Sequence, residues 1–152
     1  MPDILGHRMR RHHRVAKIAM RQLTQIPQEL DWVGKRAACS IEQVFADLMA
    51  GIERDVEAAN NIFGATAEKP LFKVLKGLTE TRFTVNRSGR IKNVTLSRTD
   101  AVITIVSDIT GETSEYTFGM NDEGRCLMRR DGVEFEQWQV RKLALEGMFF
   151  GQ

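Results

Sequence analysis

Cysteine, proline and tyrosine are scarce in this chain, whose 152 residues include two cysteines, three prolines and one tyrosine. Two cysteines are too few for a disulfide framework, and Cys39 and Cys126 lack the C-x-x-C or Cys/His spacing that holds a structural zinc ion. The expectation is two free thiols in a reducing, cytoplasmic setting, with no metal and no cofactor. No apolar run approaches the roughly 20 residues that a bilayer crossing needs, so no membrane span is expected. The sequence also has no G-x-S-x-G, no Walker loop, no G-x-G-x-x-G and no His/carboxylate pair at useful spacing, which leaves no catalytic residue to nominate. Arg82, Arg87, Arg90, Lys92 and Arg98 have almost no aromatics between them, so a stacking platform for single-stranded nucleic acid is not expected either.

Acidic residues are absent between Ile4 and Gln28, and this absence points to what the N-terminal stretch has instead. The formal net charge of +2 hides an asymmetry: basic residues crowd the first 22 positions around Asp3, and the remainder of the chain is net acidic. At 100° per residue, Val15, Ile18, Ala19, Leu23 and Ile26 share one arc, while Arg10, Arg14, Lys17 and Arg21 form a basic stripe away from it. This is the pattern of a basic amphipathic helix ended by Pro27. His7, His12 and His13 lack the i, i+4 spacing that aims two imidazoles at one ion, so they are expected to be solvated. The segment after Pro27 carries Gly34 and no periodicity and reads as a connector, with Trp32 packed back on the domain.

Ser40 followed by Gln43 is a capping-box signature. From Ile41, apolar residues keep helical spacing through Val44, Phe45, Leu48, Met49, Ile52, Val56, Ala59 and Phe63, until Gly64 supplies a stop. Asp55 falls within this apolar stripe, where a carboxylate needs a partner. Lys73 and Arg82 are the candidates, and the alternative is the buried polar group of a ligand pocket. Cys126, among Arg125, Arg129 and Arg130, shares a strand face with Met128 and reads as a buried structural thiol rather than a nucleophile.

Beyond Pro70 the hydrophobic period changes from 3.6 to 2. Strands are expected near Leu71–Lys76, Thr81–Asn86, Ile91–Ser97, Ala101–Asp108, Ser114–Met120 and Arg125–Arg130, separated by turn sequences too short for crossover helices. A last helix is expected from Glu136 to Met148. The fold class is α+β: N-terminal helices, an antiparallel meander of five to six strands curved over a long helix, and a C-terminal helix. Residues 1–36 form a basic amphipathic helix and connector, and 37–152 a single domain.

The functional expectation is a non-enzymatic protein-interaction module, adaptor or chaperone-like and self-associating as a homodimer. Its basic N-terminal helix docks on an acidic surface through Arg10, Arg14, Lys17, Arg21 and Trp32. That surface is a protein partner's or a second copy's, for which Glu42, Asp47, Glu53 and Glu57 of the long helix are available. The alternative is a small-ligand-binding protein or small enzyme with a pocket between the long helix and the concave sheet, and with Asp55 in it.

Overall fold

The computed structural model describes residues 31–89 and 92–151. The unit Trp32–Gln152 runs helix, long helix, seven strands, helix. Helix α1 spans Trp32–Ala38 and α2 spans Ile41–Ile62. The strands are β1 Phe72–Lys76, β2 Arg82–Arg87, β3 Asn93–Arg98, β4 Ile103–Ser107, β5 Thr113–Met120, β6 Cys126–Arg130 and β7 Val133–Phe135, and helix α3 spans Gln137–Phe150. The connector reading is corrected for residues 32–38, which are helical despite Gly34. Trp32 does not pack back on the domain: it is 65% exposed, and α1 buries none of its residues.

Ser40 caps α2, its side chain accepting a hydrogen bond from the Gln43 backbone N–H at 3.2 Å. The reciprocal half of the capping box is absent, because the Gln43 side-chain amide donates to Asp47 at 2.8 Å instead. Gly64 ends the helix at φ 69°, a left-handed conformation that costs glycine nothing. Of the expected stripe, Ile41, Val44, Phe45, Leu48, Ile52, Val56 and Ala59 are buried, and Phe63 is exposed at the helix end.

All seven strands are antiparallel and lie in chain order. The expected five to six strands curved over a long helix are corrected on two counts. The first is the seventh strand: Asp131 and Gly132 both take positive φ, the geometry of a tight two-residue hairpin turn, and they fold Val133–Phe135 back onto β6. The second is the shape of the sheet, which is neither curled nor closed. Both α2 and α3 cover the same face, with Phe45 of α2 on Phe83 at 5.3 Å between ring centroids and Phe149 of α3 on Phe72 at 4.8 Å. Seven strands at about 4.8 Å spacing make a face some 30 Å wide, and two helices of about 10 Å each cover most of it, so the sheet has no need to wrap one.

The core lies between this helical layer and the inner face of the sheet. Leu48, Ile52, Val85, Val94, Leu96, Ile103 and Val140 are completely inaccessible to solvent. Asn60, two residues before the end of α2, joins the layers: its Oδ1 accepts from the Leu71 and Phe72 N–H groups at 3.0 and 2.9 Å, and its Nδ2 donates to the Phe72 carbonyl at 3.0 Å. This side chain completes the backbone pairing at the start of edge strand β1, where no neighbouring strand can.

Candidate functional site

Asp55 does not face the sheet. Its Oδ2 accepts a hydrogen bond from Nε of Arg141 on α3 at 2.8 Å, with the Arg141 side chain 18% and the Asp55 side chain 34% exposed. A partner was expected on a strand, at Lys73 or Arg82; it comes instead from the last helix. Lys73 and Arg82 are exposed, and the strand cation that does meet α2 is Lys76, paired with Glu53 at 3.1 Å. Gly51, one turn before Asp55, makes the approach possible, since a Cβ there would run into the Arg141 guanidinium.

The pair closes one end of an open groove of about 430 Å³ between α2 and α3. Its walls are mostly apolar: Ala59, Leu145 and Phe149 are buried, while Ile62, Trp138 and Phe150 stand more than half exposed at the rim. Between α2 and the sheet, where the alternative places a ligand pocket around Asp55, one cavity lies at Phe45 and Met49 and another at Val56 and Asn60, and Asp55 lines neither.

The acidic residues of α2 are available to solvent. Glu42, Asp47 and Glu57 are exposed and Glu53 partly so. At 100° per residue Glu42, Glu53 and Glu57 fall within an arc of about 60°, on the flank of α2 where Glu53 meets Lys76 of β1. Glu53 is engaged by Lys76, whereas Glu42 and Glu57 are in no ion pair among the described residues. Arg10, Arg14, Lys17 and Arg21 lie outside the described residues, as do His7, His12 and His13. Trp32 lies within them, exposed on α1.

The two cysteines are not free thiols. Cys39, between α1 and α2, and Cys126, the first residue of β6, form a disulfide across 87 positions of sequence, with Cα atoms 5.6 Å apart. Spacing alone carries no signal for such a bond, because the two residues meet only once α2 lies on the sheet. Cys126 shares the helix-facing side of β6 with buried Met128, so the face expected for it is the face that brings it to Cys39.

Among the described residues, no group of three or more His, Cys, Asp or Glu side chains is placed to hold a metal ion. No described helix is long and apolar enough to cross a membrane. No family model matches the chain, and neither a curated protein nor a solved structure matches it.

Proposed function

We propose that this chain is a non-enzymatic protein-interaction module, adaptor or chaperone-like, in which residues 1–36 serve as a basic arm and 37–152 as the folded body. The arm docks on an acidic surface through Arg10, Arg14, Lys17 and Arg21, with Trp32 at its base as an apolar anchor. The surface is the acidic flank of α2 in a second copy. The observation that carries this reading is that Glu42 and Glu57 are exposed and in no ion pair among the described residues. Opposite charges arranged in stripes steer association and fix register more than they add raw affinity, so the assembly is expected to be salt-sensitive. A long polyanion is a poor competitor for the arm, because the body beyond it is net acidic.

A second reading, a small-ligand-binding protein, draws on the open groove beside Asp55. As to the compartment, a disulfide belongs to oxidising surroundings, and the proposal follows the Cys39–Cys126 bond rather than the low cysteine count that pointed to the cytoplasm.

Replacing Glu42 and Glu57 together by glutamine tests the first reading. Both side chains are exposed, so the variant folds as the parent does. It is expected to associate more weakly, with the difference vanishing at high salt. Unchanged association of that variant would move the docking surface elsewhere.

A further inference from the structure

The inner face of the sheet is apolar along β2, β3 and most of β4, where Phe83, Val85, Val94, Leu96, Ile103 and Ile105 are buried. At one corner this changes. Ile105 pairs with Ser114 and Ile103 with Tyr116, so Ser107, Ser114 and Tyr116 continue the same face by strand alternation. Arg130, two residues beyond buried Met128 on β6, joins them. Together with Glu112 these side chains line a cavity of about 90 Å³ under Ala144 of α3.

Two features set this corner apart from a polar patch that packing has merely left over. Tyr116 is only 2% exposed, and its hydroxyl forms no hydrogen bond among the described residues. Among the described residues no fully buried side-chain nitrogen or oxygen lacks a partner, so that hydroxyl keeps accessible surface, and Tyr116 is one of the residues lining the cavity. Ser107 is the buried polar residue among those described; its Oγ accepts from the Thr110 N–H at 3.3 Å, which leaves its own O–H to donate. The turn carrying these groups is held against α3, where Ile109 Cγ2 lies 3.3 Å from the position a Cβ on Gly147 would take. The cavity is therefore walled by ordered elements on both sides.

The second feature is the charge arrangement. Arg130 and Glu112 line the same cavity without pairing with each other; the ion pair of Arg130 is to Asp131, at 3.7 Å, and Glu112 has none among the described residues. A simple anion drawn to Arg130 would also meet Glu112, and a simple cation the reverse. A molecule carrying a carboxylate and an ammonium on one carbon satisfies both: the guanidinium fork takes two of the carboxylate's acceptor sites, the Tyr116 hydroxyl and one serine hydroxyl take the others, and Glu112 takes the ammonium. The volume corresponds to about three waters of the liquid, room for a molecule of few heavy atoms.

We propose that the corner formed by Ser107, Ser114, Tyr116, Arg130 and Glu112 binds a small amino carboxylate of glycine or alanine size. The site is separate from the acidic face of α2 and stands whether or not that face is a docking surface. The test is an amide NMR titration of the full, disulfide-bonded chain with glycine, acetate and methylamine. Glycine is expected to give saturable shifts at residues 107–116, with acetate and methylamine each at least about tenfold weaker. Tyr116→Phe removes only a hydroxyl, preserves the core packing and should weaken glycine binding about tenfold, as loss of a hydrogen bond to a charged group does. Glu112→Gln, at an exposed position, should lower glycine to the level of acetate without weakening acetate. The proposal is overturned if glycine gives no saturable shift up to about 50 mM, if acetate binds as well as glycine, or if Tyr116→Phe binds glycine unchanged.

Discussion

Cys39 and Cys126 tie the junction of α1 and α2 to the first residue of β6, closing a loop of 87 positions that contains α2 and five of the seven strands. A cross-link over so long a loop removes much of the freedom of the unfolded chain, and the loop-closure relation puts its effect at about 4 to 5 kcal/mol. The Cys39→Ala/Cys126→Ala double variant should therefore lose most of that amount in urea denaturation, and the wild-type chain should match it once reduced. A loss below about 1 kcal/mol would mean that the unfolded chain is already confined without the bond.

The centre of α2 carries the core. Leu48 is completely buried and Phe45 nearly so, with its ring against Phe83. Leu48→Ala and Phe45→Ala should each cost about 2 to 5 kcal/mol, the sum of lost burial and the cavity left behind. Exposed Leu143→Ala on α3 serves as the control and should fall within about 0.5 kcal/mol of wild type.

Asn60 makes three hydrogen bonds to the backbone of residues 71 and 72. Asn60→Ala leaves those groups without partners and should cost about 2 to 4 kcal/mol, with faster amide exchange at Leu71 and Phe72 ahead of the rest of the sheet. Asn60→Asp keeps the acceptor but sets a carboxylate against the Phe72 carbonyl, so it should not restore the loss.

The Asp55–Arg141 pair lies between the exposed ion pairs that contribute little and the fully buried ones whose rupture is severe. Removing either partner should cost about 1 to 2 kcal/mol, and a double-mutant cycle on Asp55→Ala and Arg141→Ala should return a positive coupling. Independent, additive losses would mean that the contact contributes nothing beyond the packing of each side chain.

How much of this was legible in the sequence depended on how local each cause was. The Ser40 cap, the apolar stripe of α2 and its stop at Gly64 are written within one helix, and they appear where expected. The turns between strands were legible for the same reason, and the first six strands lie within two residues of their expected ends. Strand β7 was missed because three residues are too few to show alternation, and its cause is the conformation of Asp131 and Gly132. That the sheet neither curls nor closes goes with α3 sharing the helical layer, which no pattern in the strands records. The same holds for side-chain meetings across the fold: Asp55 called visibly for a partner, but Arg141, 86 positions away, becomes that partner only through the packing of two helices. The disulfide and the polar corner at Tyr116 are hidden for this reason too.

A basic arm on an acidic face makes the mass of the full chain in solution fall as salt is raised. At about 50 mM salt, light scattering should give more than the 17.3 kDa of one chain. The mass should fall to that value near 1 M, where the screening length is about 3 Å. A variant with Arg10, Arg14, Lys17 and Arg21 replaced by glutamine should read one chain at every salt concentration while melting as the parent does. A wild-type chain that stays at 17.3 kDa throughout, or a glutamine variant that associates as strongly as the parent, would mean that the basic stripe does not hold two copies together.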